Sequence, residues 1–199
     1  MTPERKARIA SVLEHRQPDI TVVLDNVHDP RNIAAVLRTC DAVGISEIFV
    51  LTDREPRTKQ YNFHAGMGAM KWVQVHSFNE LEACVTAVKA KYPTLLGAYL
   101  DPSAKPLYAL ELTQPLALVF GNERHGISEA MLQHCSGHFI IPQYGMVESL
   151  NISVACAVSL YEALRQKQMA GHYQASRLSL SEQDALLQQW DELRFREAD

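Results

Sequence analysis

The sequence predicts an α/β fold: one parallel sheet of about six strands with helices on both faces. Three observations carry this prediction. Apolar, β-branched runs alternate with helical patterns along the chain, as in ITVVLDNV followed by DPRNIAAVLRTCDAVG. The strand segments are apolar almost throughout, which marks strands covered on both faces. With 199 residues and 47% apolar content, the chain is large enough for one substantial core.

Taken in order, residues 3 to 16 place Ile9, Val12 and Leu13 at helical spacing, with Pro3 suited to a first turn. The polar face of this short helix carries Arg5, Lys6, Arg8 and Arg16. After Gln17-Pro18 come the strands ITVVLDNV, SEIFVL, VQVHSF, TLLGAYL, PLALVFGNE and HFIIPQ. Helices are expected after the first strand, from about Asn79 to Lys91, in GISEAMLQHC, and from about Ser149 to Met169. The segment TDREPRTKQYNFHAGMGAM has no periodicity and reads as a surface loop. Its Arg54, Arg57, Lys59, Tyr61, Phe63 and His64 also match the mixture of cations and aromatics that binds RNA.

Several function classes are excluded. No run approaches the roughly 20 apolar residues of a membrane span. The charged start MTPERKARIA is unlike a signal peptide, so a soluble cytoplasmic protein is expected. Cys40, Cys84, Cys135 and Cys156 show neither CxxC nor zinc-finger spacing, and read as reduced core residues with no metal site. No GxGxxG follows the first strand, and no P-loop motif is present. The net charge of −4 is unusual for a nucleic-acid partner. However, residues 176 to 199 hold three arginines against six acids, which leaves the body nearly neutral and able to carry local basic patches.

Ligands of parallel sheets bind at the carboxyl ends of strands, so the residues just after each strand carry the chemistry. In DPRNIAAVLR, Asp29 caps a helix starting at Pro30, and Ile33, Val36, Leu37 and Cys40 form its core stripe. Asn32 and Arg38 then stand off that stripe, either as solvated groups or as part of a site. Glu123 follows the strand LALVFG, where a carboxylate needs a partner. It either orients a ligand or makes a structural hydrogen bond. In IIPQYGMVESLNISVA, Ser149 and Asn151 open the last long helix. They serve as caps, or with the exposed loop backbone before them they hold an adenine-bearing, positively charged sulfonium cofactor.

The ordered segments NIAAVLR, FGNERHGIS and IPQYGMVESLNISVA, together with RQPD at residues 16 to 19, resemble the TrmH subgroup of the SPOUT RNA methyltransferases. The resemblance runs from the amino-terminal helix to about Gly171. It implies an α/β sheet whose carboxy-terminal part forms a deep trefoil knot. It also implies a homodimer with the active site at the subunit interface, and methyl transfer from S-adenosyl-L-methionine to a ribose 2′-hydroxyl. The cofactor would lie against Ala98, Tyr99, Leu100, Gly121, Ile141, Met146 and Leu150.

By the same resemblance Arg38 activates the 2′-hydroxyl, while Asn32, Glu123, Ser149 and Asn151 shape the site. Arg5, Arg8, Arg16 and Arg165 contact RNA. An arginine with a pKa above about 12 is a poor base. Stabilisation of the alkoxide by Arg38, or a grip on a neighbouring phosphate, therefore stands beside the base role. The implied organisation is an RNA-binding helix over 1–18, a catalytic domain over 19–171 and a helical extension over 172–199. The implied substrate is tRNA, at guanosine 18 of the D loop. Another tRNA or rRNA ribose methyltransferase and an inactive RNA-binding dimer are the alternatives. The acidic tail departs from the basic extension of longer relatives.

Overall fold

A computed structural model describes residues 2–53 and 71–195. The basic-aromatic segment singled out above falls largely on residues 54–70, outside the described residues. Among the described residues seven strands form one fully parallel sheet: β1 (Ile20–Asp25), β2 (Glu47–Leu51), β3 (Gln74–Phe78), β4 (Thr94–Ala98), β5 (Lys105–Pro106), β6 (Leu116–Gly121) and β7 (Gly137–Ile140). Their spatial order is β3-β2-β1-β6-β4-β7-β5. The strand not foreseen is β5, a two-residue edge pairing of Lys105 and Pro106 with Phe139 and Ile140. It is too short to leave any periodic signal, and its proline sits where an edge strand tolerates one.

The strands are buried for the reason their composition suggests. Every residue of β1 is buried, and its side chains alternate between two cores. Val22 and Leu24 join Leu118 and Phe120 on one face, covered by α2 (Pro30–Ala42) and α5 (Ile152–Met169). Val23, Ala117 and Val119 face the other way, covered by α3 (Leu81–Lys89) and the short α4 (Glu129–Leu132). Asp29 caps α2 by accepting from the Arg31 amide, Pro30 occupies the first turn, and Ile33, Val36, Leu37 and Cys40 are buried as a stripe. The thiols behave as core atoms: burial pushes Cys84 and Cys135 up to about 11.

The two ends of the chain meet. Leu13 of α1 (Pro3–Glu14) packs with Leu178 and with Trp190 of α6 (Leu180–Phe195), and Ile9, Val12 and Trp72 complete that cluster. The RQPD segment beneath it is an ionic clamp. Asp19 accepts from Lys167 Nζ at 2.8 Å and is ion-paired with Arg177 Nη2 at 2.9 Å, with His172 Nδ1 at 3.6 Å. Lys167 also donates to the Thr113 carbonyl, and burial holds its amine below the usual lysine range. Replacing Asp19 by Ala strands this buried cation, which costs about 3–5 kcal/mol. Chemical denaturation of Asp19→Ala against the parent chain measures that loss, and a difference within experimental scatter would contradict the clamp.

Candidate active site

The carboxyl ends of the strands form one rim, and all three motifs reach it. Asn151, at the start of α5, caps that helix by accepting from the Ser153 amide at 2.9 Å and from the Ser153 hydroxyl at 2.6 Å. Its other amide atom, Nδ2, donates to Asn32 Oδ1 at 3.2 Å, and Asn32 Nδ2 donates in turn to Glu123 Oε1. The cap therefore uses one end of the Asn151 amide and leaves the other to reach Asn32. Residues from β1–α2, β6–α4 and β7–α5 are joined in one hydrogen-bonded line. The helix begins at Ile152, three residues later than the sequence suggested, because Asn151 takes the capping position.

Glu123 lies in a tight turn of Asn122 to Gly126. The Asn122 side chain accepts from the Arg124 and His125 amides at 2.9 and 2.8 Å, and the main chain of Asn122 pairs with Gly126. Gly121 makes this approach possible. A Cβ there would lie 1.9 Å from the Gly126 carbonyl carbon and 2.1 Å from the Ile127 nitrogen, so no other residue fits without moving backbone. Below the turn, Asp25 is completely buried at the end of β1. Its two oxygens accept from Asn26 Nδ2 at 3.0 Å and from the Ser128 amide at 2.7 Å.

Arg38 is exposed on α2 and Ser149 on the loop before α5, and neither is hydrogen-bonded among the described residues. Three of the cofactor candidates lie side by side. Ala98, Gly121 and Ile141 end, or immediately follow, the neighbouring strands β4, β6 and β7. Tyr99 and Leu100 follow Ala98, with the Tyr99 amide donating to the Phe139 carbonyl at 3.1 Å, and Leu150 is half-buried before α5. Leu100 and Met146 are 76% and 98% exposed. Open loop backbone flanked by uncharged, mostly apolar side chains fits an adenosyl group with a cationic sulfonium, and no charged candidate residue opposes it. Among the described residues no group of His, Cys, Asp and Glu could hold a metal ion.

The arginines separate into three situations. Arg5 and Arg8 are exposed on α1 and border a groove with Lys71 and Trp72. Arg165 is exposed but forked onto Glu162, at 2.9 and 2.7 Å, which raises its pKa. Arg16 departs from the expectation of a surface RNA contact. It is fully buried, donating to the Ile45 carbonyl, Asp41 and the Trp72 carbonyl while lying over the Trp190 ring. Helical periodicity placed it on a polar face, but α1 ends at Glu14, so Arg16 follows a turn inward.

Sequence reasoning passed over Asp25, Asn26 and Asp53. The visible signal was two polar residues at the exit of a wholly apolar strand. His138 was also missed; its Nδ1 pairs with Asp101 Oδ2 beside Tyr99. Hydrogen bonds from Ser103, together with His138, hold the Asp101 carboxyl below the usual range.

A parallel sheet with a polar network at its switch between β1 and β6 defines a ligand-binding α/β domain, and comparison with known proteins assigns the class. Residues 19–161 match the SpoU rRNA Methylase family, to which the chain belongs. It is 40% identical to a tRNA (guanosine(18)-2'-O)-methyltransferase of Thermus thermophilus, over 95% of this chain and 96% of the relative. The TrmH/SpoU tRNA modifying enzyme of A. aeolicus superposes with a TM-score of 0.85 at 33% identity, covering 94% of each chain. The SpoU methyltransferase AviRb of Streptomyces viridochromogenes, in complex with AdoMet, gives 0.67 at 26% identity, covering 78% of this chain and 59% of that one.

Two substitutions at Asn151 separate its roles. Asn151→Ala loses the cap and destabilises by about 1 kcal/mol, whereas Asn151→Ser keeps a capping oxygen and stays within a few tenths. Both lose the bond to Asn32, so methyl transfer falls in both while urea midpoints distinguish them. Full turnover in the Ser variant would remove Asn151 from the site.

Proposed function

We propose that this protein is a tRNA (guanosine-18) 2′-O-methyltransferase that uses S-adenosyl-L-methionine. The observation that carries the reading is the Glu123–Asn32–Asn151 line, because it unites the three motifs at the strand ends where the cofactor candidates also gather. The activity of the Thermus thermophilus relative, which is nearly the same length, supports tRNA as the substrate. An inactive RNA-binding dimer would have no use for this network. S-adenosyl-L-methionine supplies a methyl group on a cationic sulfur when bound. Ala98 to Leu100, Gly121, Ile141, Met146 and Leu150 would hold it, within the knot that we assign to the carboxy-terminal part of the sheet.

In this reading the chain's own groups act by placement. Holding the ribose oxygen in line with the methyl carbon contributes several kcal/mol. Asn32, fixed from both sides by Glu123 and Asn151, orients the ribose, and Ser149 completes the rim. Arg38 stabilises the developing alkoxide or grips the adjacent phosphate, and because a guanidinium only donates, the proton goes to water or to a phosphate oxygen. We infer a homodimer from the apolar surface that this chain exposes. Tyr144, Met146 and Val147 before α5, and Val154 and Tyr161 on it, are all exposed in one stretch. In this reading a second copy docks there and the active site lies at the subunit interface. The first 18 residues then serve as the RNA-contacting helix, residues 19–171 as the catalytic domain and 172–199 as the extension.

Arg38→Ala is expected to abolish methylation of tRNA transcripts while cofactor affinity, read by calorimetry, stays within about twofold. Loss of cofactor binding instead would contradict the assignment. Reversing Arg5 and Arg8 together to Glu weakens tRNA binding and reduces the salt dependence by up to about one logarithmic unit per lost phosphate contact. An unchanged slope would move the RNA footprint off α1.

A further inference from the structure

The β1, β2 and β6 ends enclose a cavity of about 620 Å³, lined by Asn26, His28, Asp53, His125 and Ser128 among others, that shares Glu123 with the hydrogen-bonded line. Its volume is in the range of pockets that take small organic ligands, which leaves room for a nucleobase together with its ribose. The cavity stands at the carboxyl edge of the sheet, beside the residues that would hold the ribose.

Its frame is built from the core outward. The buried Asp25 carboxylate fixes the Asn26 side chain and the Ser128 amide. Asn26 has φ +55°, a left-handed conformation uncommon outside glycine, and its Oδ1 accepts from the Asp53 amide at 2.8 Å. Such conformations persist where the surroundings over-determine them, and they cluster at functional sites. The backbone of Asp53 is thereby tied to the end of β1.

The acceptors in this cavity are mostly committed. The Asn122 oxygen serves the Arg124 and His125 amides, and Glu123 receives Asn32 on one of its two oxygens, whereas both Asp53 oxygens are without a hydrogen bond among the described residues. The Asp53 carboxylate is 71% exposed, and its nearest ionisable neighbour among the described residues, His28 Nε2, stands at 3.7 Å, beyond hydrogen-bond distance. An ionised carboxylate only accepts, and it accepts two parallel donors well. Among the four bases, guanine alone offers two adjacent N–H donors, N1–H and N2–H, on its Watson–Crick edge. Adenine and cytosine each set an acceptor beside their amino group, and uracil has a single N–H between two carbonyls. Single-stranded bases splayed out of a loop are read along that edge.

We propose that this cavity seats the target guanine and that Asp53 reads its Watson–Crick edge. The proposal rests on the methyl-transfer reading above and adds the origin of base selectivity to it. The test uses full-length protein, S-adenosyl-L-methionine and tRNA carrying either guanosine or inosine at the acceptor position. Inosine lacks only the 2-amino group.

The parent chain should prefer guanosine by about tenfold in kcat/KM, as one lost hydrogen bond to a charged partner predicts. Asp53→Asn, with unchanged melting temperature and cofactor binding, should lose roughly 10- to 100-fold on guanosine. It should also bring the guanosine-to-inosine ratio close to one. A parent chain indifferent to inosine, or a ratio that survives Asp53→Asn, overturns the guanine seat while leaving the methyltransferase reading intact. A parent chain that methylates neither tRNA overturns both.

Discussion

The pairing of β1 with β6 is the constraint from which the site follows. These strands are parallel and central, in register from Ile20 against Leu116 to Asp25 against Gly121. A parallel pair cannot close with a tight turn, so the intervening chain must travel around the sheet, and every strand exits on the same edge. The helix after β1 therefore starts beside the turn after β6, and Asn32 meets Glu123 although they are far apart in sequence. Their meeting adds little to stability, being exposed. It is a product of the ladder, whose hydrophobic faces supply the driving force.

How much of this was legible depended on the range over which the physics acts. The fold class was readable because burial on both faces imposes apolar strands, and the start of α2 was readable to the residue because Asp29, Pro30 and the stripe at Ile33, Val36 and Leu37 are local signals. The motif residues were legible as types, but not which atoms of Asn32 or Asn151 bond to what. Arg16 shows the limit most plainly. A guanidinium near a helix end looks solvated in sequence, and only the tertiary arrangement of Asp41, Ile45, Trp72 and Trp190 compensates its burial. The Asp25–Asn26–Asp53 frame showed only as two polar residues at a strand exit, since a left-handed asparagine leaves no further pattern.

Charge burial has a distinct purpose at the two ends of the molecule. Asp19 and Arg16 add little as net stabilisation, because desolvation offsets most of what ion pairing provides. They do restrict alternatives. With Asp19 meeting Lys167 and Arg177, the stretch after α5 can dock in one register only, and α1 and α6 are fixed against each other through Leu13, Leu178 and Trp190. At the strand ends the same device appears in miniature, with Asp25 and Asn26 holding three loops in place at the edge of the site.

The terminal cluster also gives the protein an optical asymmetry. Its two tryptophans are Trp72 and Trp190, and their rings meet edge to face with centroids 5.1 Å apart. All indole emission therefore arises where the chain ends dock, and none arises at the rim where Asn32, Glu123 and Asn151 converge. The molecule carries an intrinsic lamp for the seating of its own termini, and it is dark at its chemistry.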